Sequence, residues 1–115
     1  MSGPDSSAGP VQDGRVTIEV ETSPGVTTIV VKGELDLVTM PYLATRLTLA
    51  LRDRPGRLVF DLGETHFMDC ASARLIVGAG QRMPGGRRPV MRRPGPGVRR
   101  VFELTGLDAH CEIEP

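Results

Sequence analysis

The sequence predicts an α/β domain, and three observations carry that class. Short β-prone segments alternate with stretches whose apolar residues recur at helical spacing. The second and third strand segments are separated by one such stretch, long enough for the crossover that parallel strands need. Between its turns, Leu58-Val59-Phe60-Asp61-Leu62 is apolar almost throughout, as expected of a central strand covered on both faces. At 115 residues the chain has room for one domain and one modest core. It has three Phe, one Tyr and no Trp, so Val, Leu, Ile and Ala must supply most of the buried area.

Taken in order, Met1–Gly14 is rich in Gly, Ser and Pro and reads as a disordered tail, with residues 15–115 as the domain. Val16–Glu21 alternates apolar and polar residues in the manner of a half-buried strand. Ser23-Pro24-Gly25 is turn chemistry, and Thr28–Lys32 gives the second strand of a hairpin, ended by Gly33-Glu34-Leu35-Asp36. Pro41 suits a first helical turn, and Leu43, Leu47, Ala50 and Leu51 then share one face until Pro55-Gly56 stops the helix. After the Leu58–Leu62 strand, Ala73, Ile76, Val77 and Gly80 repeat the helical spacing up to Pro84-Gly85-Gly86. Pro89-Val90-Met91 is a short strand and Pro94-Gly95-Pro96-Gly97 a stiffened loop. Val98, Val101, Phe102 and Thr105 mark a third helix, with Gly106 at its C′ position and Leu107 packing back on it. Cys111–Glu114 adds an edge strand.

Composition narrows the function classes. Lys plus Arg and Asp plus Glu balance at 14 each, which argues against a domain dedicated to nucleic acid or anionic lipid. No window approaches the ~20 apolar residues of a membrane span, and Met1–Gly14 has no signal-like apolar run. A cytoplasmic protein with reduced thiols at Cys70 and Cys111 is the expectation. The six arginines between Arg87 and Arg100 read as solvated charge around a loop or as a site for an acidic partner. No aromatic residues interleave with them to stack nucleic-acid bases.

The most informative stretch runs from His66 to Val77, where a strand passes into a helix at Asp69. An Asp at that point can cap the N–H of Ala71 or Ser72, and it can equally shape a landing site for a partner. Asp36, after strand two, is either a partner contact or a turn-forming Asx residue. Cys70 could sense oxidants if its thiol were activated by the helix start, but a small buried residue is the plainer reading. His66 and His110 have no metal spacing, and no third ligand or activated nucleophile accompanies Asp36 and Asp69. Neither an enzyme, a metal nor a cofactor is expected.

Three motifs together resemble the STAS domain family of sulphate transporters and anti-sigma-factor antagonists. They are Gly33-Glu34-Leu35-Asp36, Phe67-Met68-Asp69-Cys70-Ala71-Ser72 and Val98–Leu107. The resemblance spans Val16–Glu114 and implies a mixed sheet of four to five strands flanked by about three to four helices. It further implies a binding protein that docks on a serine-kinase anti-sigma factor, with Asp36, Asp69, Cys70, Ala71 and Ser72 at the contact. The protein itself would be a monomer or weak homodimer, without nucleic acid and without membrane insertion. In such proteins a serine two residues after the Asp accepts phosphate and ends the interaction. Here that position is Ala71, which has no hydroxyl, and Ser72 lies one residue on, rotated by ~100° on a helix. The expected outcome is an antagonist without the usual phosphoserine switch. The alternative is a non-sigma adaptor, such as the small subunit of a lipid-transporting ABC complex.

Overall fold

The computed structural model describes residues 11–12 and 14–115. Its sheet carries six strands whose spatial order is also the chain order. They are β1 (Val11–Gln12), β2 (Val16–Ser23), β3 (Val26–Leu35), β4 (Arg57–Met68), β5 (Val90–Arg92) and β6 (Glu112–Glu114). β1, β2 and β3 pair antiparallel, whereas β3 to β6 run parallel, so the sheet is mixed. Three helices accompany it: α1 (Met40–Arg52), α2 (Cys70–Gln81) and α3 (Pro96–Thr105). Five strands are those the sequence predicts. The two-residue β1 is the addition, for Val11 and Gln12 pair with Ile18 and Thr17 instead of trailing as tail. The remainder of the expected tail, apart from Gly14, lies outside the described residues.

Alternation decides which face is covered. Ile18, Ile29, Val31, Leu58, Phe60, Leu62 and Met91 form one continuous core with Leu43, Leu47, Ala73, Ile76, Val98 and Phe102 of the helices. Each strand thus turns one apolar row toward a single helical layer. The opposite face is polar, with Glu19, Val30, Asp61, Arg92 and Glu114 in one cross-strand row. Val59 and Val90 are buried on that face without joining the core, which makes the middle of β4 apolar on both sides as predicted.

Two strands are longer than predicted. β3 continues through Gly33–Leu35, the residues expected to end it, and β4 continues from Gly63 to Met68. Against β3, β4 carries extra residues at two register shifts, between Asp61 and Glu64 and between Thr65 and Phe67. Each bulge breaks the period of two, so the later inward residues fall at Thr65 and Met68 rather than at alternate positions. The first bulge is held by Asp61, which accepts from the Gly63 N–H at 3.1 Å and from Arg93 at 2.8 and 3.0 Å. Thr65 is buried with its hydroxyl donating to the Val31 carbonyl at 2.8 Å.

The helices begin and end where the sequence chemistry says, with one exception. Pro41 lies in the first turn of α1, and Gly106 closes α3 at φ 76°, a left-handed geometry open to glycine. Gly80 sits against the Pro89 ring so closely that a Cβ would overlap it, which sets how near α2 approaches β5. The exception is Pro96, expected in a loop, which instead opens α3. Its missing N–H costs nothing there, because the first helical donors have no partners inside the helix.

Candidate docking site at the strand ends

β3 and β4 are parallel and finish side by side, so the chain leaves both strands at one end of the sheet. The Asp69 N–H donates to the Leu35 carbonyl at 3.0 Å, tying the β4–α2 junction to the β3–α1 junction. Asp36 and Asp69, each the first residue beyond its strand, thereby lie at the same end of the sheet, after the paired residues Leu35 and Met68.

Asp69 caps α2. Its backbone is extended and its Oδ1 accepts from the Ser72 N–H at 2.8 Å, a contact worth ~1 kcal/mol. The next three residues face different surroundings. Cys70 is exposed, Ala71 half-buried and Ser72 fully buried. The expectation of a buried Cys70 is therefore corrected: the first helical residue looks outward, and the inward turn falls on Ser72 and Ala73. The Ser72 Oγ has no hydrogen-bond partner among the described residues. Burial turns that oxygen away from solvent. Cys111 is the opposite case to Cys70. Burial, with Asp108 adding to it, pushes its thiol up to about 11, and neither cysteine is in a disulfide.

Asp36 is fully engaged in its own loop. Its Oδ1 accepts from the Val38 N–H at 2.9 Å and the Thr39 N–H at 3.0 Å, and the Thr39 hydroxyl oxygen lies 3.3 Å from it. Arg15 grips both oxygens at 3.1 Å. Thr39 returns the favour, accepting from the Asp36 N–H at 3.0 Å and donating to the Glu34 carbonyl at 2.7 Å. The Thr39 N–H, foremost, holds the Asp36 carboxyl below the usual range; desolvation, next in size, opposes it, and the Val38 N–H and Arg15 add to the lowering. The Asx-turn role of Asp36 is thus realised.

Around these junctions lies an apolar rim that sequence reasoning did not single out. Leu37 is 72 % exposed, Val38 65 % and Phe67 52 %, with Tyr42 on the first turn of α1 beside them. Four of the five large exposed apolar residues among those described gather at this one end. Isolated exposed apolar residues are ordinary, but a cluster bordered by polar groups marks a contact surface. One signal was present: Leu37-Val38 is an apolar pair between two turn-forming residues, where neither strand nor helix needs it. Among the described residues no group of three His, Cys, Asp or Glu side chains could hold a metal ion, and no helix is long and apolar enough to cross a membrane.

Comparison with known proteins places this geometry. The STAS domain family model matches residues 17–115. An anti-sigma-F factor antagonist, RsfB, of Mycobacterium tuberculosis is 27 % identical over 94 % of this chain and 81 % of its own length. A crystal structure of an anti-sigma factor antagonist from Mycobacterium paratuberculosis superposes with a TM-score of 0.81, at 28 % identity and covering 91 % of each chain. The Bacillus cell fate determinant SpoIIAA in its phosphorylated form shares the fold, with a TM-score of 0.65 and 20 % identity over 85 % of this chain and 91 % of that one. With the three motifs in order and the family match spanning nearly all the described residues, the chain belongs to the STAS domain family.

Proposed function

We propose that this protein is an anti-sigma-factor antagonist that docks on a serine-kinase anti-sigma factor through the end of the sheet where β3 and β4 finish. The observation that carries the reading is the exposed rim of Leu37, Val38, Tyr42 and Phe67 around the start of α2. It offers a partner apolar area next to polar groups, the usual make-up of an interface centre and its border. Cys70, Ala71 and one oxygen of Asp69 lie within reach of such a partner, while Asp36 contributes by holding Leu37 and Val38 outward. The names of the mycobacterial relatives support the same role.

The antagonist works without the usual phosphoserine switch. Ala71 offers no oxygen, and the nearest hydroxyl, on Ser72, is 0 % exposed at the buried side of the first helical turn. Phosphate carries about two negative charges, and placing it there would put them inside an apolar core. Phosphate transfer at this position therefore does not end the interaction. A second reading, an adaptor in a lipid-transporting ABC complex, uses the same surface.

The test incubates the purified protein with candidate anti-sigma kinases and ATP, measures complex formation and maps modified residues by mass spectrometry. Stable complexes with no phosphate at residues 70–72 are expected. Stoichiometric phosphate on Ser72 overturns the switch-free reading. Failure to bind any such kinase, together with recovery of a membrane ATPase, favours the adaptor.

A further inference from the structure

The end of the molecule opposite the docking rim has its own character. β4 runs about 36 Å from Arg57 to Met68 at ~3.3 Å per residue, so the two ends are well separated. α1 and α2 finish at the Arg57 end, and β5 and β6 begin there. Arg54, Arg82, Arg87 and Arg88 are all exposed at this end, and none has a carboxylate within ion-pair distance among the described residues. Asp53, Asp108 and Glu112 are the nearby acids, and Glu112 is taken by Arg57 at 3.8 Å. By contrast, Arg15, Arg92 and Arg93 are each paired, with Asp36, Glu114 and Asp61.

The unpaired arginines line concavities. Arg54 and Arg82 flank one of about 320 Å³ floored by Leu51, Pro55 and Pro84. Arg87 and Arg88 line two more, of about 260 Å³ beside His110 and about 270 Å³ beside the Arg57–Glu112 pair, where three arginines face one carboxylate. Arg54 and Arg82 follow α1 and α2, where they can balance the negative helix ends, whereas Arg87 closes only the three-residue 3-10 turn Pro84–Gly86, too short to carry an appreciable dipole. Arg74, Arg99 and Arg100 are also exposed without ion pairs, yet they line none of these concavities.

We infer that this arginine end is a second docking surface, for an acidic segment of a protein that carries apolar residues among its carboxylates. Guanidinium groups bind carboxylates in paired, planar hydrogen bonds, and the Leu51-Pro55-Pro84 floor accepts an apolar side chain between the Arg54 and Arg82 jaws. Nucleic acid fits less well, because no Phe, Tyr or Trp side chain lines any of the three concavities. The protein then holds two partners at once, one at each end of the sheet.

The experiment uses the full chain and a fluorescein-labelled peptide of glutamate and leucine, read by anisotropy. A lysine–leucine peptide and duplex DNA serve as competing probes. The acidic peptide is expected to bind at low salt and weaken as salt rises. Paired charge reversals, Arg54→Glu with Arg82→Glu and Arg87→Glu with Arg88→Glu, should each weaken it at least about tenfold. Both pairs lie on the surface, and a thermal melt checks that they fold. If either fails to fold, Arg→Gln variants at the same positions replace it. Phe67→Ala should leave peptide binding unchanged. Absence of binding at low salt, indifference to the charge reversals, loss of binding in Phe67→Ala, or tighter binding of DNA than of peptide would each overturn the inference. The anti-sigma complex is scored separately, so the two surfaces stand or fall independently.

Discussion

Asp36 and Asp69 occupy equivalent places, one residue beyond neighbouring parallel strands, yet they do different work. Asp36 accepts from two backbone N–H groups and a bidentate arginine. Asp69 accepts a single side-chain hydrogen bond, from Ser72. The difference follows from what comes next in the chain. β3 must cross a four-residue loop before α1, and without a clasp that loop would have no reason to present Leu37 and Val38. β4 passes into α2 with only Asp69 between them, so one cap suffices. The same side chain at the same sheet edge is a structural clasp in one junction and a lightly used cap in the other. Residue type and position in the fold do not assign a role; the number of donors within reach does.

The sharpest way to break this contrast is to attack the clasp from below. Gly33 has φ 109°, and a Cβ there would overlap the Arg15 carbonyl oxygen, which accepts from the Glu34 N–H at 2.9 Å. Gly33→Ala should cost roughly 3 kcal/mol through strain and displacement of Arg15, measured by urea unfolding. Next in size, Asp36→Asn keeps the shape but loses the charge that Arg15 and the two N–H groups favour. It should lower the melting temperature by more than Asp69→Ala does. A smaller loss than in Asp69→Ala would remove the distinction between clasp and cap. Asp69→Ala itself should cost ~1 kcal/mol in the same assay, with the fold retained and anti-sigma binding weakened.

pH dependence sharpens the same comparison. The folded Asp36 carboxyl titrates below its ordinary value of 3.8, so its stabilisation is present above that pH and is lost as pH falls through the lowered value. The acid limb of the stability curve should therefore flatten in Asp36→Asn. Cys111 acts at the other extreme. Its folded value of about 11 lies above the ordinary value of 9.0, so its contribution is complete below pH 9.0 and disappears as pH rises through about 11. The smallest effect belongs to the thiols at neutral pH. Ellman's reagent should modify Cys70 in the native protein and reach Cys111 only on unfolding, and Cys70→Ser should leave the melting temperature within about 2 °C. Rapid native reaction of both thiols would show that Cys111 is not shielded.

The sequence by itself determined the order of strands and helices, the crossover that makes β3 and β4 parallel, the αL end at Gly106 and the cap at Asp69. These are local matters of period, turn chemistry and capping, and each can be read from a few consecutive residues. Four things were decided only by the tertiary structure. The bulges in β4 came from pairing against β3, which is why its last six residues lost their alternation and concealed a strand. The rim of Leu37, Val38, Tyr42 and Phe67 exists because parallel pairing brings together residues up to 30 positions apart. Ser72 was buried and Cys70 exposed by the rotation of α2 against the core, which no first-turn motif encodes. The arginines were sorted into paired and unpaired sets by where the strands begin and end, because charge is spread along a chain but matched in space.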